Sequence, residues 1–178
     1  MTVSADLAYL ASKIRTIPDF PQKGIQFKDI TTLLSDAKAL RLTTQLLYEG
    51  ISESKANVVV GLESRGFLFG TNLAEKLGIS FVPVRKSGKL PYKTLEQAYG
   101  LEYGTDKIEI HLDAIKKGDR VIIHDDLLAT GGTAKAATQL VEALGAEVVA
   151  YSFIIELDEL GGRSSLAQYS KIHSLIHY

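Results

Sequence analysis

Four short runs dominate the chain: NVVVGLE (57–63), SFVPVRK (80–86), RVIIHD (120–125) and EVVAYSFII (147–155). Their middles are apolar at nearly every position. A strand with one wet face alternates apolar and polar residues, whereas a strand apolar throughout must be covered on both faces. Between the runs lie helical patterns. In SRGFLFGTNLAEKLG (64–78), Gly70, Leu73, Ala74 and Leu77 share one face and Gly78 closes the helix; further on, Ala137, Leu140, Val141 and Leu144 repeat the pattern before Gly145. Buried strands alternating with helices predict an α/β fold: an open, mainly parallel twisted sheet flanked by helices.

The flanking segments read differently. Leu7, Leu10, Ala11 and Ile14 mark an amphipathic helix ended by Pro18, PDFPQKGIQF (18–27) is irregular, and a second helix runs from about Asp36 to Tyr48. Residues 87–106, SGKLPYKTLEQAYGLEYGTD, form a long polar and aromatic loop of the length usually kept for function or motion, and KIEIHLD (107–113) alternates like a strand with one wet face. No repeat or linker interrupts the 178 residues, which suit a single domain. With 46% hydrophobic residues the chain can bury a core, and a net charge of -1 argues against nucleic acid or a membrane surface as partner. The absence of cysteine excludes disulfides and thiolate chemistry. The first twenty residues lack the pattern of a signal peptide, and no run is long enough to span a membrane, so a cytoplasmic protein is expected.

VIIHDDLLATGGT (121–133) sits where one of these strands runs into a helix, the place where open α/β sheets bind ligands. Thr130, Gly131, Gly132 and Thr133 offer backbone N–H groups, two hydroxyls and room for close approach at a helix N-terminus, which together make a phosphate cradle. Asp125 and Asp126 would repel a phosphate unless they bind hydroxyls or a cation, so a sugar phosphate fits both halves. The residues alone also allow an ordinary strand-to-helix turn capped by Thr130. Neither G-x-x-x-x-G-K-[ST] nor G-x-G-x-x-G occurs, and no nucleophile elbow is present. GLESRGFLFG (61–70) ends another strand with Glu63, Ser64 and Arg65, and Arg85, Lys86 and Lys89 cluster before the long loop. Either group could face a diphosphate or simply solvent.

Five segments, PDFPQKGIQFKDIT, GLESRGFLFG, VRKSGKLP, LEYG and HDDLLATGGT, stand in the order and spacing of the type I phosphoribosyltransferases, which the chain resembles over nearly its whole length. The resemblance implies an N-terminal hood of about residues 1–35 over the base and a flexible catalytic loop at about 87–106. It implies transfer of the phosphoribosyl group of phosphoribosyl pyrophosphate to N9 of adenine, giving AMP, with Mg2+ held mainly by substrate and water rather than by direct protein ligands. Asp125, Asp126, Ala129, Thr130, Gly131, Gly132 and Thr133 would then bind ribose and its 5′-phosphate. Glu63, Ser64, Arg65, Arg85, Lys89 and Tyr103 would hold pyrophosphate, and Gln26, Phe27, Lys28 and Leu127 adenine. Glu102 would manage the proton at N7 as the catalytic residue. A homodimer is expected, with the apolar SRGFLFG segment in the interface. Another base such as xanthine, or a non-catalytic binder of the same ligand, are the alternatives.

Three residues depart from the family pattern: Lys28 stands where an arginine is expected, Tyr92 where a smaller or different residue is usual, and His124 where an apolar residue is usual. His173 and His177, four apart, have a spacing that a helix could use for a metal, but no third ligand is near in sequence.

Overall fold

The computed structural model describes residues 3–101, 104–168 and 171–178. The chain divides into two compact units, one up to Leu46 and one from Leu47 to Tyr178.

The N-terminal unit contains α1 (Val3–Ser12), β1 (Arg15–Pro18), β2 (Gln26–Asp29), α2 (Thr31–Leu34) and most of α3 (Ala37–Ile51). β1 and β2 pair antiparallel, with Arg15 opposite Asp29 and Pro18 opposite Gln26, so part of the stretch read as irregular forms a hairpin. Asp29 closes that hairpin. Its carboxylate accepts Arg15 Nη2 at 2.5 Å and the Thr31 amide at 2.9 Å, and these partners hold its pKa at about 2.

The second unit continues with β3 (Val58–Leu62), α4 (Gly66–Leu77), β4 (Ser80–Lys86), β5 (Thr94–Leu101), β6 (Gly104–His111), β7 (Arg120–Leu128), α5 (Gly132–Ala143), β8 (Glu147–Glu156), α6 (Gly162–Leu166) and β9 (Lys171–His177). Its seven strands lie in the order β5-β6-β4-β3-β7-β8-β9. The five from β4 to β9 pair parallel, while β5–β6 and β6–β4 are antiparallel. β3 is buried at every position, as its unbroken apolar run predicts. Val58, Val60, Leu62, Val121 and Ile123 join Ala137, Leu140 and Val141 of α5 in one core cluster.

The elements read from the four apolar runs agree with the structure to within three residues at each end, and SFVPVRK matches β4 from end to end. The differences lie at the edges of the sheet. Residues 94–101, read as part of a loop, form β5, paired along its whole length with β6. Residues 171–177 form β9 beside β8. Edge strands carry polar residues on their wet face, and their apolar signal is correspondingly weak.

His124 lies in the interior of this sheet, with no exposed surface. It faces the α4 side, where a Cβ on Gly70 would stand 3.5 Å from its Cδ2. Desolvation drives the imidazole pKa down to about 3, and the backbone of Ser152 offsets this only in part. The folded protein therefore holds a neutral ring that the unfolded chain protonates below about pH 6.5. Stability from this source is fully present above that pH and is lost as pH falls toward 3, at no more than about 1.4 kcal/mol per pH unit. Replacing His124 by Leu is expected to flatten the acid limb between pH 6.5 and 3, as read from urea midpoints across that range. An unchanged limb would show that the ring is not the titrating group.

Candidate active site

Parallel pairing of β4, β3 and β7 carries their carboxyl ends to one side of the sheet. Val84 stands beside Leu62, and His124 beside Gly61. The residues that follow these strands are those singled out in the sequence: Glu63 to Arg65 after β3, Arg85 to Lys89 at the end of β4, and Asp125 to Thr133 across the end of β7 and the start of α5.

The last of these stretches lines a cleft of about 210 Å3, completed by Arg65 and Phe153. Asp125, Asp126, Leu127, Ala129, Thr130, Gly131, Gly132 and Thr133 all border it. Gly131 has φ of 82°, a left-handed conformation that a side chain would strain, and it turns the chain into α5. The first helical bond, from the Lys135 amide to the Gly131 carbonyl, measures 2.9 Å. The N–H groups of the first turn have no partner within the helix and lie at its positive end, beside the cleft.

A buttress backs this loop. The Ser165 hydroxyl lies 3.0 Å from the Thr130 carbonyl and 2.7 Å from that of Gly162. A Cβ on Gly162 would approach the Ala129 carbonyl to 2.2 Å. Arg163, between them, grips Glu156 with two nitrogens at 2.6 and 2.8 Å, tying α6 to the end of β8. These residues carry no motif that a reading of one sequence could recognise; their only signal is the Gly161-Gly162 pair.

The two acids of the cleft differ in their partners. Asp126 is 2% exposed, and its carboxylate meets Arg65 Nε at 3.1 Å. Asp125 accepts the Asp126 amide at 2.8 Å and lies close to Gly66, at the start of α4. Burial raises both carboxyl pKa values. The charge of Asp126 pushes Asp125 up further, while Arg65 opposes the rise at Asp126. Asp125 is therefore the member of the pair biased toward the protonated, uncharged form, beside an Asp126 carboxylate that Arg65 supports.

On the β3–β4 side, cations gather on Glu63. Its Oε1 receives Lys89 Nζ at 3.0 Å and Arg85 Nη2 at 3.1 Å, and its Oε2 receives Arg85 Nε at 3.2 Å and the Lys86 amide at 2.9 Å. Burial alone would raise the Glu63 pKa, but the Lys86 amide, Arg85 and Lys89 bring it to about 2. Ser64 is exposed beside this cluster, and the Glu63–Ser64 peptide is cis. Lys86 pairs instead with Asp106 at 3.1 Å. Glu102 and Tyr103 lie outside the described residues. Gln26, Phe27 and Lys28 lie on β2 of the N-terminal unit, where Phe27 meets the Phe20 ring edge-on at 5.1 Å and Lys28 Nζ lies 3.1 Å from the Thr16 hydroxyl.

His173 and His177 lie on a strand rather than a helix. His177 Nδ1 stands 2.8 Å from Asp158 and, with Glu156, makes up the one trio of potential metal ligands among the described residues. Glu156 is already engaged by Arg163.

A family model described as a phosphoribosyl transferase domain matches residues 29–164. The chain belongs to the phosphoribosyltransferase family. It is 56% identical over 169 residues to the adenine phosphoribosyltransferase of Clostridium botulinum (strain Loch Maree / Type A3), covering 95% of this chain and 98% of that protein. Among solved structures it is similar to the adenine phosphoribosyltransferase of Rhodothermus marinus, with a TM-score of 0.94, 53% identity and coverage of 98% and 99% of the two chains. It is also similar to that of Saccharomyces cerevisiae complexed with an imino-altritol bisphosphate and adenine, with a TM-score of 0.90, 43% identity and coverage of 97% and 99%.

The Arg65–Asp126 pair yields a direct test. In an Arg65→Met variant, the buried Asp126 loses the charge that opposes its desolvation, at a cost on the order of 3 kcal/mol near neutral pH. The variant's Asp126 pKa then rises further above its unfolded value, so protonation relieves the cost and the deficit should shrink as pH falls. Urea unfolding at pH 7.5 and pH 5 checks this, and a deficit that grows on acidification would refute the pairing.

Proposed function

We propose that this phosphoribosyltransferase moves the 5-phosphoribosyl group of phosphoribosyl pyrophosphate to N9 of adenine, forming AMP and pyrophosphate. The observation that carries this reading is the 56% identity to an adenine phosphoribosyltransferase over nearly the whole chain, with the acids and glycines of the 125–133 cleft intact.

In this reading the Ala129–Thr133 amides and the positive end of α5 receive the 5′-phosphate, and Asp125 and Asp126 take the ribose hydroxyls. Hydroxyl donors suit carboxyl groups that cannot comfortably carry two charges so close together. Pyrophosphate leaves toward Arg65, Arg85 and Lys89, with Ser64 and Tyr103 also assigned to its binding. Glu63 acts by gathering Arg85 and Lys89 in one place, so an incoming phosphate oxygen finds two cations already converged. Displacement at the ribose carbon through an oxocarbenium-like transition state needs no protein nucleophile, and the protein contributes position and electrostatics. Mg2+ would be held mainly by substrate and water, as suits a hard cation that keeps its waters, and would offset diphosphate charge, with Asp125 and Asp126 the acidic residues lining the cleft. Gln26, Phe27, Lys28 and Leu127 bind the base, and Glu102 handles the proton at N7. The protein works in the cytoplasm as a homodimer, an assembly that the half-exposed Leu68 on α4 would suit.

Incubation with magnesium, phosphoribosyl pyrophosphate and each nucleobase separately should yield nucleotide with adenine alone. Product from xanthine or guanine would overturn the choice of base, and ligand binding without turnover would overturn the enzymatic reading. In the same assay, Glu102→Gln should lower kcat by about 10²- to 10⁴-fold, the usual worth of general acid–base help.

A further inference from the structure

Glu109 lies on β6 between Ile108 and Ile110 and is only 3% exposed. The alternation of KIEIHLD marks it as a solvent-facing acid, and it is nothing of the kind. In the ladder it stands beside Arg85 of β4 on one side and Glu96 of β5 on the other. Its Oε1 accepts the backbone amides of Lys89 and Leu90, each at 2.8 Å. A buried carboxylate is costly unless its oxygens are satisfied, and these are charge-assisted bonds to a turn that has no other regular structure.

The same turn is held from its other sides. Arg85 Nη1 donates to the Lys89 carbonyl at 3.3 Å, and the Ser87 amide donates to the Lys107 carbonyl at 3.1 Å. Lys89 Nζ then meets Arg85 Nη2 on a single oxygen of Glu63. The Lys89 ammonium is thus aimed by its own backbone, and the backbone is aimed by Glu109.

We propose that Glu109 is a positioning residue for the pyrophosphate half of the site: by clamping the Lys89–Leu90 amides, it holds the Lys89 ammonium and Arg85 guanidinium together where a diphosphate can take both. The proposal rests on the phosphoribosyltransferase reading for the identity of the ligand, and on the described geometry alone for the clamp. Glu109 touches no substrate and acts only through the turn. Its influence should reach pyrophosphate far more than the Ala129–Thr133 cradle, which is built on β7, α5 and α6 and meets β5 at Tyr99 and Gly100, away from the clamped turn.

Two measurements test this. The first is amide exchange in the unmodified protein, where the Lys89 and Leu90 amides should be protected although their turn lies outside any strand; exchange at the rate of an open loop would overturn the clamp. The second is binding of inorganic pyrophosphate and, separately, of AMP to Glu109→Gln, with Glu109→Asp as a variant that keeps the charge. Loss of a hydrogen bond to a charged group predicts pyrophosphate binding weakened by about tenfold or more in Glu109→Gln, partial recovery in Glu109→Asp, and AMP binding unchanged. Equal weakening of both ligands would mean general damage to the fold and would overturn the assignment, as would unchanged pyrophosphate affinity. Failure of the unmodified protein to make AMP would instead count against the proposed reaction, and the exchange result would stand apart from it.

Discussion

The site depends on the parallel pairing of β3 with β7. Val58 to Gly61 runs beside Val121 to His124, and the ladder continues outward to β4 and β8. A parallel ladder points every carboxyl end the same way, so segments more than sixty residues apart in sequence deliver their polar ends to one side of the sheet. Arg65 reaches Asp126 because of this register, and Glu63 reaches Arg85 for the same reason. Moving β3 by one residue would exchange its two buried faces and separate both pairs.

The site that results is highly charged yet internally balanced. Arg65 has Asp126, while Arg85 and Lys89 share Glu63. Buried charges without partners would destabilise the fold, and the pairs remove that difficulty before any ligand arrives. They also keep the Arg85 and Lys89 cations close together on one oxygen of Glu63. Asp125 differs: burial and the neighbouring Asp126 charge bias it toward the uncharged form, so the pair does not carry two full charges side by side. Behind the 129–133 loop, the Ser165 hydroxyl binds the Thr130 carbonyl, and the bare Gly162 leaves room for that of Ala129.

Much of this could be read from the residues in order. NVVVGLE and EVVAYSFII announce doubly covered strands, and HDDLLATGGT announces a glycine turn from strand into helix, because each signal is carried by neighbours along the chain. β5 and β9 could not be read in that way. Their residues make strands only because β6 lies alongside Thr94 to Leu101, and β8 alongside Lys171 to His177, to complete their hydrogen bonds. Glu109 was illegible for a related reason: an acid between two isoleucines looks like a wet face, and only the folded turn at Lys89 and Leu90 supplies the amides that allow its burial. His124 was legible as a departure, but nothing in the chain order shows that it is fully enclosed.

By itself, then, the sequence determined the class of fold and the chemistry at each strand end. Periodicity, glycine turns and adjacent acids act over a few residues and need no partner from elsewhere. Only the tertiary structure decided which charge neutralises which, that Glu109 is buried, and that α6 backs the loop at Ala129 and Thr130. Those outcomes are distances between residues far apart in the chain, and they exist only once the strand register has been set.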